Sequence, residues 1–286
     1  MINVISSGLF STIQDLGRYN YECFGVPRSG NMDKFSALLC NRILKNKDNC
    51  AVMEITMTGP KLKFRINTYI CISGANMSPK INENHVKMDS VHKIKKGDIL
   101  SFGKLNFGYR SYLAVKGGFL TKKILESRSM FYPVTNEQKI KKGDEIYIDS
   151  FNEDENFIQN FSYEYNNHFE QKIIYAYKGP EYCKLSQEQI KILTSMEFTI
   201  SNSNNRMAYQ LNELLKNTIK PIITSLVLTG TVQLTPSGKL IILMRDNQTC
   251  GGYPRILQLN EESINRLSQK HSGKKIKFQI IDYQNY

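Results

Sequence analysis

The sequence predicts a mainly β protein with a few helices, an α+β chain whose strands are short enough to build barrel-like sheets. Three observations carry this expectation. From residue 63 to residue 112, short apolar runs alternate with turns rich in Gly, Asn and Asp. Helical periodicity is confined to three stretches, near residues 33–46, 186–196 and 260–273. A turn sequence, Ile94-Lys95-Lys96-Gly97-Asp98-Ile99, returns as Ile140-Lys141-Lys142-Gly143-Asp144-Glu145-Ile146, and Gly-Asp between apolar pairs is a hairpin signal. At 286 residues and 41% hydrophobic content, the chain is long enough for two modest domains or one large one.

In chain order, residues 1–5 read as an opening strand, and Gly25-Val26-Pro27-Arg28-Ser29-Gly30 as a loop. Asp33 caps a helix with Phe35, Leu38, Leu39 and Ile43 on one face, ending near Asn46. Residues 51–56 form a strand carrying Glu54, a carboxylate that needs either a partner or an exposed face. Ile70-Cys71-Ile72 and Tyr112-Leu113-Ala114-Val115 are further strands, the second running into Gly117-Gly118.

Residues 151–169 are acidic, Asn-rich and aperiodic. They suggest a first half over 1–150, a linker over 151–170 and a second half over 171–286. The second half opens with the strand Ile173-Ile174-Tyr175-Ala176-Tyr177. Ser186 and Gln189 then form a capping-box pattern for a helix carrying Ile190, Leu193 and Met196. The run Leu240-Ile241-Ile242-Leu243-Met244 reads as a buried strand and Ile256-Leu257-Gln258-Leu259 as an alternating one. Asn260 caps a helix with Ile264 and Leu267 inward, stopped by Gly273, before a last strand at 276–280.

A formal charge of +12 points to anionic partners, but the lysines are scattered through turns and no nucleic-acid signature accompanies them. Nucleic acid is therefore not expected. No apolar run approaches the ~20 residues of a membrane span, and no charged region followed by an apolar one marks a signal peptide. Six cysteines without a C-x-x-C pair or zinc spacing fit a reduced, cytoplasmic protein with no metal site. The four histidines stand far apart in polar stretches. Phosphate-loop, dinucleotide-turn and serine-elbow motifs are missing, as is the Met-Lys-Met sequence that carries covalent biotin.

The densest chemistry lies at Asp246-Asn247-Gln248-Thr249-Cys250-Gly251-Gly252-Tyr253-Pro254, between two strands. Paired glycines permit positive φ and bare the backbone N–H groups to an anion, although a long hairpin loop with polar turn residues has the same composition. Arg206 follows a polar loop, and its planar fork suits a carboxylate or phosphate as well as a structural ion pair. Arg18 and Arg128, beside Gly or Ser residues, read the same way. Asp15 and Asp246 fit general bases, cation ligands or turn caps. Cys250 has no histidine near it in sequence to activate a nucleophile.

Several motifs, taken in order, resemble one family. They are residues 8–18 (Gly-Leu-Phe-Ser-Thr-Ile-Gln-Asp-Leu-Gly-Arg), Gly25-Val26-Pro27 with Ser29-Gly30, Met32-Asp33, and Glu54-Ile55-Thr56 with Gly59-Pro60. Ser73-Gly74-Ala75, Ser127-Arg128-Ser129, Arg206-Met207 with Tyr209, Gly230-Thr231-Val232-Gln233 and the 246–254 stretch continue the set. The chain resembles the family of C-type 5-oxoprolinase subunits, also called allophanate hydrolase subunit 2 or the biotin-dependent carboxyltransferase family. The resemblance implies a cyclophilin-like β-barrel architecture in two related halves. It implies a partnership with a kinase-inhibitor-like B-type subunit, and with an A-type homologue. Together these open 5-oxoproline to glutamate, with ATP and Mg acting at the level of the complex. Relatives form the carboxyltransferase part of urea carboxylases and work on carboxybiotin, and others antagonise a kinase inhibitor homologous to the B-type partner.

On this resemblance Asp246, Arg206 and Asp15 are candidate catalytic residues. Gln14, Arg18, Arg128, Tyr209, Gln248, Thr249, Gly251, Gly252 and Tyr253 are candidates for holding a small anionic substrate. The chain departs from the family pattern at Asn205, where an aspartate is usual, at Ala208 for glycine, at Cys250 for threonine, and at Thr235-Pro236 for Pro-Pro. Losing a carboxylate beside Arg206 either raises that site's affinity for anions or weakens chemistry that needs the acid.

Overall fold

The computed structural model describes residues 1–151, 157 and 168–282. The chain divides into two compact units, Met1–Arg18 with Ser29–Tyr165, and Tyr19–Arg28 with Asn166–Tyr286. Most of the expected linker at 151–170 lies outside the described residues. A boundary drawn from composition follows the chain linearly, so it does not detect that residues 19–28 group with the second unit.

The first unit is built from β1 (Ile2–Ser6), β2 (Phe10–Gln14), α1 (Lys34–Ile43), β3 (Val52–Thr56), β4 (Lys61–Phe64), β5 (Thr68–Asn76) and β6 (Lys80–Ile81). It continues with β7 (Asn84–His85), β8 (His92–Ile94), β9 (Ile99–Ser101), β10 (Phe107–Val115) and β11 (Glu145–Ile146). One sheet has the order β11-β1-β4-β9-β6-β7, the other β2-β3-β10-β5-β8. Ile2, Val4, Leu62 and Phe64 of the first meet Ile13, Ile55, Ile72 and Leu113 of the second in one buried core. Each such side chain contributes roughly 1.5–3 kcal/mol by leaving water. Helix α1 covers the other face of β5 and β10, packing Ala37, Cys40 and Ile43 on Cys71, Tyr112 and Ala114. Burial on both faces explains why these strands read as continuous apolar runs.

Glu54 sits on that helix-covered face and is buried, so the exposed-face alternative does not hold. It accepts hydrogen bonds from the Met32 N–H (2.7 Å) and the Tyr112 hydroxyl (2.9 Å). Asp33 caps α1 as expected, accepting from the Ser36 N–H at 3.2 Å. The two Lys-Lys-Gly-Asp turns are also the same object. In each, the aspartate carboxylate accepts from the first lysine's N–H (2.8 Å at Asp98, 2.7 Å at Asp144), and the glycine takes a positive φ of 101° or 91°. The first is not a hairpin, however. Strand β8 pairs with β5 and β9 with β4 and β6, so this turn carries the chain from one sheet to the other.

The second unit holds β12 (Ile173–Lys178), α2 (Gln187–Ser195), β13 (Phe198–Asn204), β14 (Ala208–Leu214), β15 (Ser225–Leu226) and β16 (Thr231–Leu234). It ends with β17 (Lys239–Leu243), β18 (Cys250–Gly251), β19 (Arg255–Leu259), α3 (Glu261–Ser268) and β20 (Lys275–Ile280). Seven strands close a barrel in the order β12-β19-β16-β17-β14-β13-β20. The protein is thus mainly β with three α-helices among the described residues, and the expected barrel is present. The capping box of α2 forms with both of its hydrogen bonds, and Asn260 caps α3. Helix α3 ends at Ser268, before Gly273, which instead supplies the left-handed turn (φ 83°) into β20. Among the described residues no helix is long and apolar enough to cross a membrane.

Candidate functional site

Strand pairing sets the candidate loop within the second unit. β16 lies between β17 and β19, so the loop 244–254 is not a hairpin connection; it carries the chain across the end of β16. Side chains alternate between the two faces of these strands. Tyr209, Val232, Leu240 and Ile242 form the fully buried face, whereas Gln210, Gln233 and Ile241 stand in register on the other. The loop returns beside that second face. Together they enclose a cavity of about 420 Å³ lined by Gln210, Gln233, Ile241, Leu243, Gln248 and Tyr253, with the turn at 202–208 on its remaining side.

The loop is pinned at both ends by ion pairs, the first buried and the second partly so. At its start, Arg206 grips Asp246 with two bonds, Nε to Oδ2 at 2.8 Å and Nη2 to Oδ1 at 3.1 Å, both side chains being nearly buried. The Asp246 N–H also donates to the Arg206 carbonyl at 2.9 Å. At its end, Arg255 meets Glu181 through Nε to Oε2 and Nη2 to Oε1, each 3.0 Å, and the Arg255 N–H donates to the same carboxylate at 2.9 Å. These bonds hold the Glu181 carboxyl below its usual range and raise the Arg255 guanidinium. Between the anchors, β18 pairs with β15, and the Gly252 carbonyl accepts from the Ile222 N–H at 2.9 Å.

Asn205 explains its own departure from the family pattern. Its Oδ1 accepts from the backbone N–H groups of Met207 (2.8 Å) and Ala208 (3.0 Å), so the position closes a turn, a task an amide oxygen performs without charge. Thr235 ties the β16–β17 turn instead of a second proline, its hydroxyl accepting from the Lys239 N–H at 2.9 Å. Cys250 is exposed on β18.

The candidates of the first unit gather separately around Asp15. Its carboxylate accepts from the Gly17 N–H (2.9 Å), the Ser127 and Ser129 hydroxyls (2.6 and 2.7 Å) and the Arg128 N–H (2.6 Å). Arg18 is fully buried and donates to the Ser129 carbonyl. Gln14 donates to Thr12 Oγ1 and the Met130 carbonyl, each at 3.1 Å. Arg128 lies half-buried beside a second cavity of about 450 Å³.

Of the second-unit candidates, Arg206 and Asp246 come together, and Gln248 and Tyr253 line the cavity with Gly251 and Gly252 adjacent in the same loop. Thr249 turns its carbonyl to the Val227 N–H at 3.1 Å. Tyr209 is fully buried on the opposite face of β14. Among the described residues, the lining contains no lysine, arginine, aspartate or glutamate. For a small anion it therefore offers amide, hydroxyl and backbone groups, while the Arg206 fork is engaged by Asp246.

Sequence reasoning gave no site role to Gln233, although it closes the Gly230-Thr231-Val232-Gln233 motif, nor to Gln210 and Glu181. The signal for Gln233 is a polar residue flanked by Val232 and Leu234 in a strand, which alternation directs away from the apolar face. Glu181 gives no local signal, since its partner lies 74 residues downstream.

Comparison with known proteins identifies the family. Residues 24–280 match the profile of the family described as carboxyltransferase domain, subdomain A and B. The C-type 5-oxoprolinase subunit of Haemophilus influenzae is 27% identical over 292 residues, covering 99% of this chain and 92% of its own length. The urea amidolyase of Lachancea kluyveri is 37% identical over 150 residues, which is 51% of this chain and 8% of the amidolyase. The crystal structure of the Kluyveromyces lactis urea carboxylase superposes with a TM-score of 0.87 at 25% identity, over 98% of this chain; the chain spans 27% of that protein's length. By the reach of the family match across both units, the chain belongs to the carboxyltransferase domain family, subdomains A and B.

Proposed function

We propose that this chain is the C-type component of an ATP-dependent 5-oxoprolinase, working in the cytoplasm with A-type and B-type partners to open the 5-oxoproline lactam to glutamate. The observation that carries the reading is the end-to-end likeness to the C-type protein of Haemophilus influenzae. Six free cysteines fit a reducing compartment.

In this reading Gln248, Tyr253 and the bare backbone at Gly251 and Gly252 meet the substrate. Arg206 with Asp246 and Arg255 with Glu181 are positioning pairs that hold the loop in one geometry before substrate arrives. Asp15, with Arg18, Gln14 and Arg128, orders the 127–130 turn of the first unit. A nucleotide triphosphate does not fit the cavity of the second unit, whose described lining has no cation to meet it. ATP with Mg is assigned to the complex as a whole.

The uncharged lining favours a second reading, carboxyl transfer to a urea-like amide. Carboxybiotin, when bound, would supply the activated carboxyl group, and Gln233 and Gln248 are the residues that suit its ureido edge. Co-expression with A-type and B-type homologues, followed by pull-down and an assay of 5-oxoproline turnover with and without ATP, separates the two. ATP-dependent turnover by the co-purified complex supports the 5-oxoprolinase reading. Turnover of urea with a biotin carrier, and none of 5-oxoproline, replaces it.

A further inference from the structure

A strand that is apolar at successive positions suits burial on both faces, because neighbouring side chains point to opposite sides. The ribbon built on β15 and β18 carries such a run, Leu226-Val227-Leu228, and only one of its faces is covered. Val227 faces inward: it is 4% exposed, and a Cβ on Gly251 would come to 3.3 Å from its Cγ1. Leu226 and Leu228 point the other way and are 68% and 67% exposed. Ile223, earlier in the same ribbon, is fully exposed. Singly exposed apolar residues are ordinary, whereas several in one contiguous surface mark an interaction site.

The two leucines form one wall of a groove of about 360 Å³, which Pro180 and Leu257 also line. Its margin is cationic. Lys178 lines it with a largely exposed side chain, and its contact with the exposed Asp282 is long, at 3.8 Å, which holds it weakly. Arg255, on the same margin, is spent on Glu181. The ribbon's edge is also blocked against an added strand. Arg255 Nη1 donates to the Leu226 carbonyl at 3.0 Å, and the Leu228 N–H donates to Thr231 Oγ1 at 3.1 Å. With those backbone groups taken, recognition at this surface falls to side chains.

Resting on the reading of this chain as one component of an assembly, we propose that this groove is the docking surface for a partner protein that brings large apolar side chains flanked by a carboxylate. The apolar side chains cover Leu226 and Leu228, completing the second face for which the run is patterned, and the carboxylate meets Lys178. A second copy of this chain fits the groove poorly. A two-fold contact through the same patch brings Lys178 of both copies into one interface, in a protein that already carries a formal charge of +12.

The test has two arms, both on the full chain. In the first, 1-anilinonaphthalene-8-sulfonate, an aromatic probe with one anionic group, is titrated by fluorescence into the native protein and into Leu226→Asp, Leu228→Asp and Lys178→Glu. All three positions are exposed, so the variants keep the fold, and thermal unfolding checks that they do. The native chain is expected to bind the probe. Each leucine variant should weaken it about tenfold, as the loss of one buried leucine contact does, and Lys178→Glu about threefold. In the second arm the chain is co-expressed with its A-type and B-type homologues. One homologue should co-purify with the native chain, displace the probe and slow hydrogen exchange at the amides of residues 222–228. That homologue should be lost from both leucine variants.

No probe binding by the native chain, unchanged binding in the leucine variants, or full co-purification of both homologues with those variants overturns the proposal. A native chain that dimerises in sedimentation and becomes monomeric on Leu226→Asp overturns it too, since the occupant is then a second copy. Probe binding lost in the variants, with neither homologue held by the native chain, leaves the docking surface standing and removes the 5-oxoprolinase reading. Complex formation and 5-oxoproline turnover undiminished in the leucine variants do the reverse.

Discussion

Arg206 and Asp246 are separated by 40 residues in sequence and meet in a two-bond ion pair with almost no solvent contact. Removing one member leaves the other charged and buried, which costs about 3–5 kcal/mol, whereas removing both leaves no stranded charge. Arg206→Ala and Asp246→Ala should therefore each lower unfolding stability by that amount, and the double variant by clearly less than their sum. Chemical denaturation of the four proteins measures it, and additive losses would show that the pair is not coupled. Activity lost in either single variant must accordingly be separated from lost folding before a role in chemistry is assigned.

Lys270 offers a second test at this scale. It is 4% exposed, and burial, with Lys274 and Arg266 nearby, pushes its ammonium down to about 8, against 10.5 for a free lysine. Between those values the unfolded chain holds a proton that the folded chain has released, so folding stability gains as pH rises through this window. Relative to Lys270→Met, the native protein should gain up to roughly 3 kcal/mol from about pH 8 to pH 10. Parallel stability–pH curves for the two proteins would contradict the assignment.

Elements were legible where one stretch of chain contains both halves of an interaction. Asp33 with Ser36, Ser186 with Gln189, and Asn260 with Ser263 each lie within one helical turn, so these helix starts could be read directly. The Lys-Lys-Gly-Asp turns were legible for the same reason, although which sheet each flanking strand joins was not. Pairing partners lie far apart in sequence, and nothing local states that β17 and β19 flank β16. That single fact turns the 246–254 stretch from a hairpin loop into a crossing over Gln233, and it is why Gln233 was passed over.

The element-level prediction concerns the same crossing. Gly251→Ala places a methyl group 2.5 Å from Gln233 Nε2 and must displace either the amide or the loop. The barrel should survive with a loss of about 1–3 kcal/mol, as for other overpacked sites. Unchanged stability in calorimetry would show that the contact is not tight.

At the scale of the whole molecule, sequence motifs dispersed along the chain converge on one family, and the family match spans residues 24–280. The expected mainly β class and barrel are present. The charge of +12 is absent from the cavity lining, which no compositional argument could have foreseen. Charge is a property of the surface as a whole, whereas this cavity is set by strand register and by one loop held between two ion pairs. The Haemophilus influenzae relative is named as a subunit, so the proposed substrate is best tested in the proposed assembly.

The most direct measurement is ATP-dependent release of glutamate from 5-oxoproline by the co-purified complex, with this chain present, omitted, or replaced by its Gln248→Leu variant. The account predicts turnover with the native chain, none without it, and severe loss with the folded variant. Full turnover by the partner proteins alone would contradict it.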